Sequence, residues 1–169
     1  MQLIKQVFSK YSQNGQVPPN SFWQIVAEYY QAKTHQSIDP NQIPQIIQKN
    51  GMPLPNQYTF EEFITYALNF CMMMAYNSGQ LEEYYNLYAL LVYSGFDYQC
   101  TGFVDTNLVI NQMIAYYSQI YPGLNQQAVN QVLTQNGIQL GGKINEAQFI
   151  QAYKGVSKMF QGQKPKGHP

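Results

Sequence analysis

Asn50-Gly51 returns as Asn136-Gly137, and from that anchor the chain repeats itself. The offset of 136 − 50 = 86 carries Leu54 onto Leu140, Phe63 onto Phe149 and Ile64 onto Ile150 without a gap. Upstream, Gly15 and Gly102, Val17 and Val104, Tyr29 and Tyr116, and Tyr30 and Tyr117 match at an offset of 102 − 15 = 87. Two separate segments thus agree on one duplication, and a fixed internal period is the mark of a repeated supersecondary unit. Such a chain has to build the same local structure twice.

Within each copy apolar residues recur at spacings of three and four, and strand-like alternation never persists, so the expected fold class is all-α. The spacing predicts helices over Gln2–Lys10, Asn20–Lys33, Pro40–Asn50, Phe60–Asn77, Leu81–Tyr93, Thr106–Tyr121, Asn125–Asn136 and Glu146–Phe160. Asp39 ahead of Pro40, and Asn125, are expected N-caps. Gly51 and Gly137, each after an Asn, are expected to end their helices in the left-handed conformation that glycine adopts without strain.

Each half divides again into two helix-loop-helix units. In the third, Asp97 to Leu108, Gly102 is sixth and Val104 eighth; in the fourth, Gly137 to Gln148, Gly142 is sixth, Ile144 eighth, and Phe149 follows the twelfth residue. The second, Gly51 to Glu62, has Tyr58 eighth and Phe63 after its end, and the first has Gly15, Val17 and Phe22 in phase. This pattern resembles the EF-hand superfamily, in the calmodulin and light-chain form with paired hands, over nearly the whole chain. The resemblance implies four helix-loop-helix (EF-hand-like) units arranged as two paired lobes, residues 1–77 and 81–160. The lobes would join near Ser78-Gly79 and be followed by a short flexible tail, 161–169.

The chemistry of that family is mostly missing. Calcium needs six to eight oxygens, drawn from loop positions one, three, five, seven and nine with a bidentate Glu at twelve. Gly51, Pro53 and Pro55 leave Glu62 without carboxylate companions, and Gly137, Gln139, Gly141 and Gln148 carry no charge. Counting back from Gly15 puts Lys10 first in its loop, and aligning Tyr11 with Phe96 leaves that loop short; either register removes the site. Only the third loop offers oxygens, from Asp97, Gln99, Thr101, the Phe103 carbonyl and Asp105, with Leu108 where the Glu belongs. The simpler role for Asp97 and Asp105 is to cap the loop and the next helix. The expectation is therefore no cofactor, with calcium at that one loop as the alternative.

Other functional classes fall away on composition. Lys and Arg number 9 against 9 Asp and Glu, which lacks the basic excess of a nucleic-acid or anionic-membrane binder. Two cysteines, Cys71 and Cys100, make neither a disulfide framework nor a zinc quartet, and point to a reducing, intracellular address. No apolar run approaches the ~20 residues of a membrane span. Met1 to Lys10 is amphipathic without a signal-type core, and its lack of Arg gives organelle import little support. His35 and His168 have neither metal-pair spacing nor a neighbouring nucleophile, and no residue lies in sequence near Cys100 to activate it, so catalysis is not expected.

The segment from Phe70 to Tyr76 is apolar almost all round its helix. Phe70, Met72, Met73 and Met74 are candidates for a partner surface, since methionine adapts to partner helices, or for burial between lobes. Tyr30 and Tyr117 join the candidates because a tyrosine with a wet hydroxyl suits an interface. The expected function is a calcium-independent adaptor or structural subunit that binds an amphipathic helix or a surface of a larger protein assembly. By family habit that assembly is cytoskeletal or ciliary. A weak calcium sensor acting through the third loop, and an accessory subunit of an enzyme complex, mitochondrial in one version, are the alternatives.

Overall fold

In the computed structural model, residues 1–119 and 121–159 are described; the expected tail 161–169, with His168, and Phe160 at the end of the last predicted helix lie outside them. Eight α-helices follow one another among the described residues: α1 (Gln2–Ser9), α2 (Phe22–Thr34), α3 (Ile43–Lys49), α4 (Phe60–Asn77), α5 (Leu81–Phe96), α6 (Thr106–Tyr117), α7 (Gln126–Gln135) and α8 (Glu146–Met159). Two three-residue strands, β1 (Phe103–Asp105) and β2 (Lys143–Asn145), precede α6 and α8. The chain is thus mostly helical, as its apolar spacing requires, and the strands are the addition.

The helix ends follow local chemistry. Asp39 accepts the Asn41 N–H at 2.9 Å and starts a 3₁₀ turn at Pro40, while Asn125 accepts the Ala128 N–H at 2.9 Å. Gly51 and Gly137 take φ of 82° and 72°, as helix-ending glycines must. The two ends match in detail. Gly51 N–H donates to Gln48 and Met52 N–H to Ile47; at the same offset Gly137 N–H donates to Thr134 and Ile138 N–H to Leu133. The duplication therefore extends to the hydrogen bonds that close α3 and α7.

Two compact units divide the chain, Met1–Ser94 and Gly95–Pro169. The division falls inside α5, so Ser78-Gly79, the expected junction, is a turn within the first unit. The reason is side-chain packing: Glu83 and Leu87 of α5 line one groove with Tyr30 and Lys33 of α2 and with Cys71, Met74 and Ala75 of α4. In the first unit α2 packs against α1, α3 and α4, and α1 against α4. Its centre is aromatic: Phe63 lies 5.4 Å from Phe8 and 6.1 Å from Phe22, ring centre to ring centre, with Ile25, Ile43 and Ile47 fully buried around it. In the second unit α7 packs on α6 and α8 over buried Val109, Val129, Leu133, Ile144 and Phe149. Phe63 and Phe149, matched by the repeat, are both wholly enclosed.

Gly155 sets the closeness of α7 and α8. A Cβ there would stand 2.7 Å from Cγ1 of buried Val132, whose branched side chain has little room to turn. Gly155→Val is expected to destabilise the second unit by about 1–2 kcal/mol in urea unfolding, and Val132→Ala in the same chain should restore part of that loss. An unchanged midpoint for the single variant would contradict the close packing.

Candidate functional site

The loop that precedes β1 and α6 holds the oxygens picked out by the sequence. Asp97 is buried, and its Oδ1 accepts both the N–H and the hydroxyl of Thr101 at 2.8 Å, while Oδ2 accepts the Gly102 N–H at 3.0 Å. The Phe103 carbonyl sits 3.0 Å from the same hydroxyl. A hydroxyl carries one proton, so it serves one of these two acceptors at a time, and with them it makes a group of three oxygens. Cys100 and Gly102 turn through positive φ, 55° and 92°, to aim the backbone N–H groups at Asp97.

The rest of the expected ligand set is turned to other work. Asp105 Oδ1 accepts the Asn107 and Leu108 N–H groups at 2.9 and 3.2 Å and so caps α6, as expected from sequence. Gln99 is exposed and bonds to the Tyr98 hydroxyl, and Leu108 brings no side-chain oxygen. The convergent oxygens are thus three, where calcium takes six to eight. Among the described residues no three His, Cys, Asp or Glu side chains gather as a metal cluster.

The loops are joined in pairs. Val104 stands opposite Ile144 in the antiparallel β1–β2 ladder, and the Thr106 N–H reaches the Gly142 carbonyl at 3.0 Å. In the first unit Gln16 bridges to Thr59, and the Val17 N–H donates to the Tyr58 carbonyl at 3.1 Å. The eighth positions of both loop pairs therefore meet, Val104 with Ile144 as ladder partners and Val17 with Tyr58 through one backbone hydrogen bond. Sequence reading placed these residues in phase but did not find the strands.

The twelfth positions of the second and fourth loops, Glu62 and Gln148, take part in helix caps. Glu62 accepts the N–H groups of Asn56, Gln57 and Tyr58 at 3.0, 2.9 and 2.6 Å, and its own N–H donates to Thr59 Oγ1 at 3.3 Å. Burial pushes its carboxyl up, but the backbone donors from Asn56 through Thr59 outweigh burial and hold it below its ordinary value. Gln148 and Asn145 exchange two bonds of the same kind, at 3.0 and 2.9 Å. Thr59 with Glu62 and Asn145 with Gln148 are capping boxes, legible in sequence as a capping residue followed three positions later by Glu or Gln.

The apolar candidates divide. Phe70, Met72 and Tyr30 are buried, which corrects their assignment to a partner surface. The Tyr30 ring meets Phe70 edge-on at 5.3 Å, and its hydroxyl donates to Gln36 Oε1 at 2.9 Å. Met73 and Met74 are half-buried. Tyr117, also half-buried, hydrogen-bonds to the Tyr153 hydroxyl. Burial pushes the Cys71 thiol up to about 12, which makes it a poor nucleophile. One exposed apolar group lies a turn further on: Tyr76 is 61% exposed and Tyr85 57%, with Leu81 and Tyr88 beside Tyr85 on one face of α5. The Tyr76, Tyr84 and Tyr85 rings follow one another at 5.6 and 5.4 Å. The i, i+4, i+7 spacing of Leu81, Tyr85 and Tyr88 was visible in the sequence; which face it occupies was not.

No protein-family model, curated protein or solved structure matches this chain. Among the described residues no helix is long and apolar enough to cross a membrane.

Proposed function

We propose that the chain is a non-catalytic adaptor or structural subunit built of four degenerate EF-hand-like units in two pairs, holding an amphipathic helix or a surface of a larger assembly without calcium. The observation that carries this reading is the joining of the loops at their eighth positions in both halves. Two helix-loop-helix units sharing one lobe have to meet somewhere, and here they meet twice at matched residues. Independence from calcium is supported by the polar groups of the loops, which are held by donors of the chain itself: the Asp97 carboxylate by Thr101 and Gly102, the Glu62 carboxylate by backbone N–H groups. A groove held this way does not wait for an ion to open it. The partner face on this reading is Tyr76, Leu81, Tyr85 and Tyr88, exposed tyrosines beside an exposed leucine. A cytoskeletal or ciliary assembly is the setting suggested by family resemblance.

The test has two arms. Calcium titrated into the full chain, followed by calorimetry, should give no saturable response at micromolar concentration. In native extract the chain should run with a large assembly that persists in chelator, and Tyr85→Ser with Tyr88→Ser should release it. Recovery as a free monomer would overturn the adaptor reading. A second reading, a weak calcium sensor, is favoured by the crowding of Asp97 Oδ1, the Thr101 hydroxyl and the Phe103 carbonyl, where one proton serves two acceptors. A calorimetric response abolished by Asp97→Ala would select it over the first.

A further inference from the structure

The chain contains three Asn-Gly bonds, at Asn14-Gly15, Asn50-Gly51 and Asn136-Gly137, and their surroundings differ sharply. We propose that Asn14-Gly15 is a self-modifying site, at which the asparagine converts without an enzyme to aspartate or isoaspartate, while the fold protects the other two. The Gly15 backbone nitrogen gives up its proton and attacks Cγ of Asn14; a nitrogen–carbon bond forms, ammonia leaves, and a five-membered succinimide results. Water then opens the ring at either carbonyl. One opening gives aspartate with a normal backbone, the other an isoaspartate whose main chain runs through the former side chain. Nothing is oxidised or reduced, and the net change is loss of ammonia, gain of water and one added negative charge.

Gly is the residue that lets this proceed, because no Cβ hinders the attacking nitrogen. The structure decides which Gly is available. At Asn50 the side-chain Nδ2 is tied to the Ile46 carbonyl at 2.8 Å, and the Gly51 N–H is bonded to Gln48 at 3.0 Å. At Asn136 the same two bonds recur, to Val132 at 2.8 Å and from Gly137 to Thr134 at 3.0 Å. In both places the electrophile is tethered to the helix end and the nucleophile is occupied. Asn14 and Gly15 form the exposed tip of a two-residue turn, with φ of 52° and 78°, the type I′ conformation that Asn-Gly favours. That turn is closed by the two bonds between Gln13 and Gln16, and among the described residues neither the Asn14 amide nor the Gly15 N–H has a hydrogen-bond partner.

The consequence is local and one-way. Isoaspartate lengthens the backbone inside a turn that has room for two residues, so the Gln13–Gln16 pairing cannot persist. The Gln16–Thr59 bridge and the Val17 to Tyr58 bond, which join the two loops of the first unit, depend on that turn. The added charge also arrives in a segment whose nearby Lys10 is already engaged with Glu28 at 2.6 Å. Age would therefore loosen the first unit at its loop junction.

The test incubates the full chain in mildly alkaline buffer and maps its peptides by mass and by enzymatic methylation of isoaspartate. The peptide with Asn14 should gain about 1 Da and carry isoaspartate at least about tenfold faster than those with Asn50 or Asn136, since reaction there has to await local opening. In urea the three rates should converge. Asn136 provides the internal control, because Gln135-Asn136-Gly137 repeats the tripeptide Gln13-Asn14-Gly15. Asn14→Gly, which keeps the turn, should abolish the early product. Equal rates in the folded chain, earlier conversion at Asn50 or Asn136, the same ranking in urea as in buffer, or no conversion at Asn14 while the urea control reacts would each overturn the proposal.

Discussion

Phe63→Ala is expected to cost the first unit about 3–5 kcal/mol, the range for deleting an enclosed aromatic ring. The ring has no solvent exposure and lies 5.4 Å from Phe8, 6.1 Å from Phe22 and 6.5 Å from Tyr29, so it touches α1 and α2 from its own place on α4. Removing it takes away the surface on which three helices meet, and the stiff neighbouring rings cannot all close the gap. Domains of this size hold only about 5–15 kcal/mol in total, so the loss would leave the unit marginal. The readout is urea unfolding followed by tryptophan fluorescence. Trp23 is the one tryptophan of the chain and lies 5.0 Å from Phe22 and 5.9 Å from Tyr66, within the same aromatic group. A loss below about 1 kcal/mol would mean that Phe63 is not central to the core.

Glu62→Ala comes next, at about 1–2 kcal/mol, because a charged acceptor serving several backbone N–H groups at the start of α4 is lost, while the exposed Asn56 and Gln57 N–H groups turn to water. The pH dependence distinguishes this cap from simple packing. The folded-state value of Glu62 is lowered, so its contribution is complete above the ordinary carboxylate range, about 4.3, and is lost as the pH falls through the lower folded value. The wild-type first unit should lose stability across that acid window, and Glu62→Gln should flatten this part of the profile while costing less at neutral pH than Glu62→Ala. If the Gln variant keeps the full acid dependence, the cap assigned to Glu62 is wrong. Gln148, its counterpart in the second unit, is neutral, so the box that it forms with Asn145 should contribute no acid dependence.

These two residues mark what was readable in advance. Phe63 was matched to Phe149 by the repeat alone, and both prove to be core. Glu62 lacks the carboxylate companions an ion needs, so helix-start capping is its simpler role in sequence, and its bonds to the N–H groups of Asn56, Gln57 and Tyr58 agree with that role. The third loop behaved likewise. Asp97 caps its loop and Asp105 caps α6, the simpler roles the sequence offers them, while the positive φ of Cys100, which the turn also needs, is announced by no side-chain pattern. The first loop departs from the twelve-residue frame in either register, and in the structure Asn14-Gly15 makes it a two-residue hairpin.

The sequence by itself determined the helical class, the positions of the eight helices to within a few residues at each end, the duplication, and the helix-stopping glycines. All of these are set by interactions between residues three or four apart, or by one residue's own φ, so they can be read wherever they occur. The tertiary structure alone decided which loop residues pair, since Val104 meets Ile144 only when distant segments arrive side by side. It also decided which part of an all-round apolar helix is enclosed. Phe70 and Met72 and the exposed Tyr76 belong to one continuous helix with no change of local pattern, and what separates them is the neighbour each one meets: a buried residue is defined by what covers it, and that is not written in its own segment.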